Sequence, residues 1–130
     1  MSLKNIQKMQ LLWVVLGLAY NAISIWQLKS GRPALSPTDP ISGVIFVAIG
    51  GLIILAGLNG AKRFYQFSAP CFALLLSYSG VGLHIASFWS DVNLAGYASF
   101  GSWLMALLIN VIGVSTLLLG SWLACRSTKT

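Results

Sequence analysis

Four long stretches of this chain contain no Asp, Glu, Lys or Arg, and they lie at residues 11–28, 41–61, 67–89 and 97–124. As an α-helix, the second stretch would be about 32 Å long, which is enough to cross the hydrocarbon of a bilayer. Only 8% of all residues are charged and 57% are hydrophobic, whereas about a quarter are charged in soluble domains. The sequence therefore predicts an all-α fold, an integral membrane four-helix transmembrane bundle, in a single domain over residues 1–130.

The breaks between these stretches predict where helices begin and end. Residues 29–40 form a polar linker whose three prolines and one glycine cannot continue a helix. Asp39, followed by a proline, predicts the start of the second helix, with the carboxylate as its cap. Residues 62–66 predict a short basic turn. Ser68 then predicts the cap of the third helix, with Pro70 in its first turn.

The start of the chain allows two interpretations. Residues 1–10 carry Lys4 and Lys8 ahead of the first apolar stretch. Such a start is typical of a secretory signal peptide, and residues 22–24 fit its cleavage site. The apolar run continues past that site through Trp26, which favours an uncleaved first transmembrane helix.

The distribution of charge predicts the orientation. Four spans place the N-terminus, the second turn and the C-terminal tail on one side, with six cations, and leave two cations and both acidic residues on the other. The six cations are Lys4, Lys8, Lys62, Arg63, Arg126 and Lys129, and the opposite side carries Lys29, Arg32, Asp39 and Asp91. Because cations accumulate on the cytoplasmic side, we expect both termini to be cytoplasmic. The expected location is the plasma membrane, which in a bacterium is the inner membrane.

Five glycines are predicted to pack the helices together. Gly43, Gly50 and Gly57 recur every seven residues on one face of the second helix, and Gly80 and Gly113 lie in the third and fourth. Glycine lets another backbone approach closely, and such contacts replace the hydrophobic driving force that is missing in lipid.

The only histidine of the chain, His84, lies within a predicted span. Ionisable residues inside a membrane are functional candidates, because burying them is costly. The predicted orientation gathers polar residues in the outer half, with one near mid-depth. The candidate ligand-binding set is His84, Asn21, Ser24, Ser87, Ser102 and Asn110. It predicts an outward-opening polar cavity; the alternative is that His84 only bonds a serine, an asparagine, a carbonyl group or Asp91.

No catalytic, metal or cofactor site is predicted. One histidine, with Cys71 and Cys125 at the opposite helix ends, cannot build a tetrahedral metal site. Acid–base chemistry would have only His84 and Asp91 to use. Both cysteines are expected to stay reduced and to serve as small packing residues. Nucleic acid is not an expected partner, because no basic stripe is interleaved with stacking aromatic residues.

These observations favour a small polytopic membrane protein and argue against an enzyme, although a small-molecule-handling or lipid-handling enzyme stays open as an alternative. The first hypothesis is an accessory or structural subunit that acts through helix–helix contacts, with the lipid bilayer, other membrane subunits or further copies of itself as partners. The second is a homo-oligomeric channel or small-solute transporter. The third is a membrane protein that binds a small molecule or a lipid in an outward-facing polar cavity around His84.

Overall fold

The computed structural model of the protein describes residues 2–90 and 94–126, which form helices and no strand. The helices are α1 (Leu3–Lys29), α2 (Pro40–Leu58), α3 (Lys62–Leu76), a π-helical segment (Ser77–Gly82), α4 (Leu83–Ser90) and α5 (Phe100–Arg126). The middle three are continuous and form one span, Lys62–Ser90, here called the third span. Within the described residues, four helices are therefore long and apolar enough to cross a membrane. The predicted fold class is confirmed.

The first helix begins at Leu3, well before the predicted start at residue 11. Ser2 caps it, because its hydroxyl accepts a hydrogen bond from the N–H of Asn5 at 3.3 Å. The prediction was too short because residues 3–10 are mixed in polarity. In the structure, Gln7 and Gln10 are buried against the other helices, so this segment is an integral part of the bundle.

The third span begins at Lys62, so the predicted basic turn is wrong. Ser68 does not cap the helix, and Pro70 lies inside it rather than in its first turn. Proline lacks the N–H that would bond the carbonyl group four residues earlier, which belongs to Gln66. The Ser121 hydroxyl of α5 donates to that carbonyl oxygen at 3.0 Å. A neighbouring helix thus supplies a donor where the proline has none.

The start of α2 is as predicted. The Asp39 carboxylate caps the helix, accepting hydrogen bonds from the Ser42 hydroxyl at 2.6 Å and from its N–H at 2.8 Å. These two bonds, the hydroxyl first, lower the pKa of Asp39 below its ordinary value. The helix ends at Leu58 instead of residue 61, and α5 runs from Phe100 to Arg126 instead of 97–124.

The four spans form one bundle with two distinct ends. We call the end with residues 30–39 and 94–99 the linker end, and the end with Ser2, residues 59–61 and Arg126 the terminal end. Helix α1 packs against α2 and α5, and α5 packs along the third span. Helix α2 packs against α3, but no comparable packing joins it to the π segment or α4. The bundle is therefore closed at the terminal end and open between α2 and α4 at the linker end.

Each of the five predicted packing glycines lies against a side chain, not against a backbone. A Cβ atom added at Gly50, for example, would lie 2.8 Å from the Trp13 ring and 2.9 Å from the Phe72 ring. The glycines therefore make room for large or polar side chains of neighbouring helices. The pairs are Gly43 with Asn21, Gly50 and Gly113 with Trp13, Gly57 with Tyr65, and Gly80 with Asn110.

The outside of the bundle is apolar. Large hydrophobic side chains such as Leu52, Leu74 and Trp89 are 66%, 69% and 81% exposed, as expected for surfaces that face lipid. Cys71 and Cys125 are also exposed and form no bridge with each other. The expectation that they serve as packing residues is wrong, since both lie outside the core.

Candidate functional site

A cavity of about 270 Å³ opens at the linker end of the bundle. Every span and the linker contribute to its wall. Its apolar surface comes mainly from Phe46, Val47, Leu76 and Ile109. Its polar lining consists of Tyr20, Asn21, Ser36, Thr38, Asp39, Ser42, Ser79, His84 and Asn110.

The opening follows from the helix packing. The cavity lies where α2 and the π segment with α4 do not pack against each other. Ser42 and Phe46 line it from α2, and Ser79 and His84 line it from the opposite side. A π segment inside an α-helix often marks a functional site. Here it places Gly80 beside the cavity floor.

Three of the six predicted site residues line this cavity: Asn21, His84 and Asn110. The Asn21 amide donates to the carbonyl oxygen of Gly17 on its own helix at 2.8 Å. The Asn110 amide donates to the carbonyl oxygen of Gly80 across the bundle at 3.4 Å, a long hydrogen bond. Both side chains thus have further hydrogen-bonding capacity beside the cavity.

His84 is held from two sides. Its Nδ1 lies 2.6 Å from the Tyr97 hydroxyl, and its backbone carbonyl accepts a hydrogen bond from the Trp103 indole N–H at 2.8 Å. It is 5% exposed. The predicted alternative partners for His84 were a serine, an asparagine, a carbonyl group or Asp91. The side-chain partner found is a tyrosine, and Asp91 lies outside the described residues.

The other three predicted site residues do not line the cavity. The Ser24 hydroxyl accepts a hydrogen bond from the Leu35 N–H at 3.0 Å and so anchors the linker to α1. The Ser87 hydroxyl donates to the Leu83 carbonyl oxygen of its own helix at 2.9 Å. Ser102 exchanges hydrogen bonds with Ser99 at the start of α5.

A second group of polar side chains, which the sequence did not predict, is buried at the terminal end. The Gln10 amide donates to the Tyr65 hydroxyl at 2.6 Å and to the Thr116 carbonyl oxygen at 2.7 Å. Tyr65 and Gln10 are both fully buried. The signal that was missed is the spacing of Gln7, Gln10 and Trp13, which places the three on one face of a helix.

The cavity can recognise a ligand by hydrogen bonds and apolar contact. Amides, hydroxyls and one imidazole line it, and its single acidic group, Asp39, is occupied as a helix cap. Within residues 2–90 and 94–126, no cluster of three His, Cys, Asp or Glu side chains could hold a metal ion. This arrangement suits an uncharged molecule.

Comparison with known proteins gives no relative: no protein-family model, curated protein or solved structure matches this chain.

Proposed function

We propose that this small membrane protein binds a small, uncharged, amphipathic molecule in the linker-end cavity. The observation that carries the proposal is the opening between α2 and α4, with Asn21, His84 and Asn110 along its wall. Small-molecule sites are typically concave and largely apolar, with a few polar groups that fix orientation. This choice favours the third sequence-based hypothesis over the accessory-subunit role.

The lining indicates the chemistry of the ligand. Asn21 and Asn110 offer amide donors and acceptors for a neutral polar group. Phe46 and Leu76 offer apolar contact for the remainder. All described Lys, Arg and Asp side chains are exposed, and the acidic one, Asp39, caps α2. No cation of the described residues lines the cavity, which disfavours an anionic ligand.

The distribution of cations supports an orientation with the linker end on the outer side. The ligand then arrives from the external solution through the linker end, or from the outer leaflet through the opening between α2 and α4. A membrane-impermeant thiol reagent tests the orientation in intact cells. It is expected to label a Thr38→Cys variant that lacks Cys71 and Cys125; labelling only after lysis would reverse the orientation.

Native mass spectrometry of protein released from mild detergent tests the binding. Delipidated protein is incubated either with an organic extract or with an aqueous extract of the source membranes, which separates the two ligand sources. We expect one of them to add a discrete mass. Asn110→Leu is expected to lose that mass, while Ser87→Ala, outside the cavity, is expected to keep it. Binding that is absent from both incubations, or unchanged in Asn110→Leu, would refute the proposal.

A role as a subunit is the second candidate, and Tyr78 favours it. This residue lies near the middle of the third span and is 75% exposed. Its hydroxyl has no hydrogen bond within the described part of the chain. Such a group among lipid tails is costly, and a helix of another chain would supply a partner. Exposed Gly82 and Ala86 follow at four-residue spacing, which permits close helix contact.

The same spectra test this second candidate, because the mass identifies the partner. A second copy gives twice the mass of the chain, and another subunit gives a different increment. We expect Gly82→Leu to abolish the assembly, with Leu74→Ala as a lipid-facing control. An assembly that survives Gly82→Leu would exclude this face as the contact.

A further inference from the structure

Two polar regions within the bundle are separated by a single layer of apolar side chains. On the linker side, Asn110 of α5 is among the polar residues that line the cavity. On the terminal side, the first polar contact is that of Gln10 with the Thr116 carbonyl oxygen. Asn110 and Thr116 are six residues apart on α5, or about 9 Å along the helix. The apolar barrier inside the bundle is therefore much thinner than the hydrocarbon of the bilayer, which is about 30 Å thick.

Trp13 fills most of this layer. The side chain is 0% exposed and lies between Gly50 of α2 and Gly113 of α5. Its ring meets the Phe72 ring edge to face, with centroids 6.3 Å apart. Both flanking residues are glycines, which have no side chain. If the indole were removed, neither of these two positions could fill the space that it leaves.

The donor groups in and below this layer are not all satisfied. The Trp13 indole N–H is buried without a hydrogen-bond partner among the described residues, and so is the Gln7 amide nitrogen. Gln7 is 4% exposed and lies close to Gly57, beside Tyr65. Buried polar groups are normally paired with protein or water. Both donors are therefore suited to bind water or a small polar solute.

We propose that Trp13 closes a path for water and small uncharged polar solutes that runs through a single chain, from the cavity past Gln10 to the terminal end. A layer of apolar side chains closes such a path by excluding water. Asp39, which caps α2 at the mouth of the cavity, is the only described charged residue that lines the path. Every described Lys, Arg and Asp is exposed, so an ion deeper in the bundle would meet no compensating charge. The path is therefore selective for neutral species.

Osmotic shrinkage of proteoliposomes, followed by stopped-flow light scattering, tests this proposal with water and glycerol as the permeating molecules. We expect Trp13→Ala to raise the permeability to water several-fold over the wild type. Trp13→Phe, which keeps an aromatic ring in the layer, is expected to stay near the wild type. Trp89→Ala removes an exposed tryptophan at the linker end and is the matched control.

Two further variants keep the test decisive. Adding Gln10→Leu to Trp13→Ala blocks the path beyond the layer and is expected to restore low permeability. If Trp13→Ala does not fold, Leu76→Ala thins the same layer from the third span and must also raise permeability. The proposal is overturned if the folded variants are no more permeable than Trp13→Phe, or if a trapped large dye escapes together with the water. This result is independent of the ligand assay, because no cavity ligand is added.

Discussion

The two ends of the bundle contain similar residues but use them differently. At the terminal end, Gln10 and Tyr65 hydrogen-bond to each other from different helices, and both side chains are fully buried. At the linker end, Asn21 and Ser79 bond carbonyl groups of their own helices and border a cavity. The terminal end pairs Gln10 with Tyr65 within the protein and leaves the Gln7 amide nitrogen without a partner among the described residues. The linker end leaves part of its hydrogen-bonding capacity for water or a ligand.

This difference follows from how α2 meets the third span. Inside a bilayer, a polar group needs a partner from the protein or from enclosed water. Where α2 packs on α3, the protein supplies this partner for Gln10 and Tyr65. Where α2 does not pack on the π segment and α4, the cavity takes the place of a neighbouring helix. Closed packing is therefore found at one end, and its absence leaves a cavity at the other.

The largest loss of stability is expected for a substitution in the apolar layer around Trp13, which separates the two ends. Gly50→Ala places a methyl group within 2.9 Å of the Trp13 and Phe72 rings. Both rings are buried, and overpacking of this kind lowers stability by about 1–3 kcal/mol. Unfolding by dodecyl sulfate in mixed micelles would measure the loss.

The adjacent glycine is the matched control. A methyl group at Gly51 would meet only Val14, at 3.4 Å, which is ordinary contact. Gly51→Ala is therefore expected to leave stability unchanged or slightly raised, because alanine favours the helix. Equal losses of stability in both variants would show that the aromatic layer is not tightly packed. The layer would then not separate the two ends of the bundle.

Tyrosine hydroxyls at the two ends allow the same substitution to be compared. Tyr65→Phe leaves the buried Gln10 amide short of a partner, and we expect a loss of about 1 kcal/mol. Tyr20→Phe removes a 3.0 Å hydrogen bond to the Ser102 carbonyl oxygen beside the cavity. Water in the cavity can replace it, so the loss is expected to be smaller. The same unfolding assay decides the order, and a larger loss for Tyr20→Phe would contradict the proposed difference between the ends.

The sequence predicts the architecture better than it predicts the site. Apolar runs and the Asp39 cap are local signals, and they were sufficient for four spans and for the start of α2. Hydropathy averages conceal the mixed segment at residues 3–10, so the contact between Gln10 and Tyr65 was missed. It depends on residues far apart in the chain.

The site prediction was partial for a geometric reason. A regular α-helical spacing places His84 and Ser87 on one broad face of α4, but three residues of helix turn their directions about 60° apart, and the Ser87 hydroxyl bonds the Leu83 carbonyl oxygen of its own helix. His84 still lines the cavity and Ser87 does not. Ser24 and Ser102 were placed at the right end of the bundle, but each is used to hold a loop or a helix start. Depth in the membrane can be estimated from sequence, whereas side-chain direction depends on the packing.

The smallest loss of stability is expected for a substitution at the mouth of the cavity, where the Ser42 hydroxyl donates a hydrogen bond to the Asp39 carboxylate. Because the pKa of Asp39 is lowered in the folded protein, the cap contributes fully above the ordinary pKa of an aspartate. That contribution is lost as the pH falls through the lowered value. Ser42→Ala removes the hydroxyl bond but keeps the backbone bond, so the pKa should rise part of the way back.

Carboxyl NMR of ¹³C-labelled aspartate would follow this titration, with Asp39→Asn to identify the signal. We expect Ser42→Ala to lower stability slightly at neutral pH, because the ionised carboxylate still caps α2 but has lost one of its two hydrogen bonds from Ser42. On acidification, the loss of stability should begin near the ordinary pKa of an aspartate in both proteins, but it should be smaller in the variant and complete at a higher pH. Identical titrations would show that the Ser42 hydroxyl does not bond Asp39 in the membrane. The Asp39 cap would then depend on the Ser42 N–H alone, and the mouth of the cavity would be held by one hydrogen bond fewer than the structure indicates.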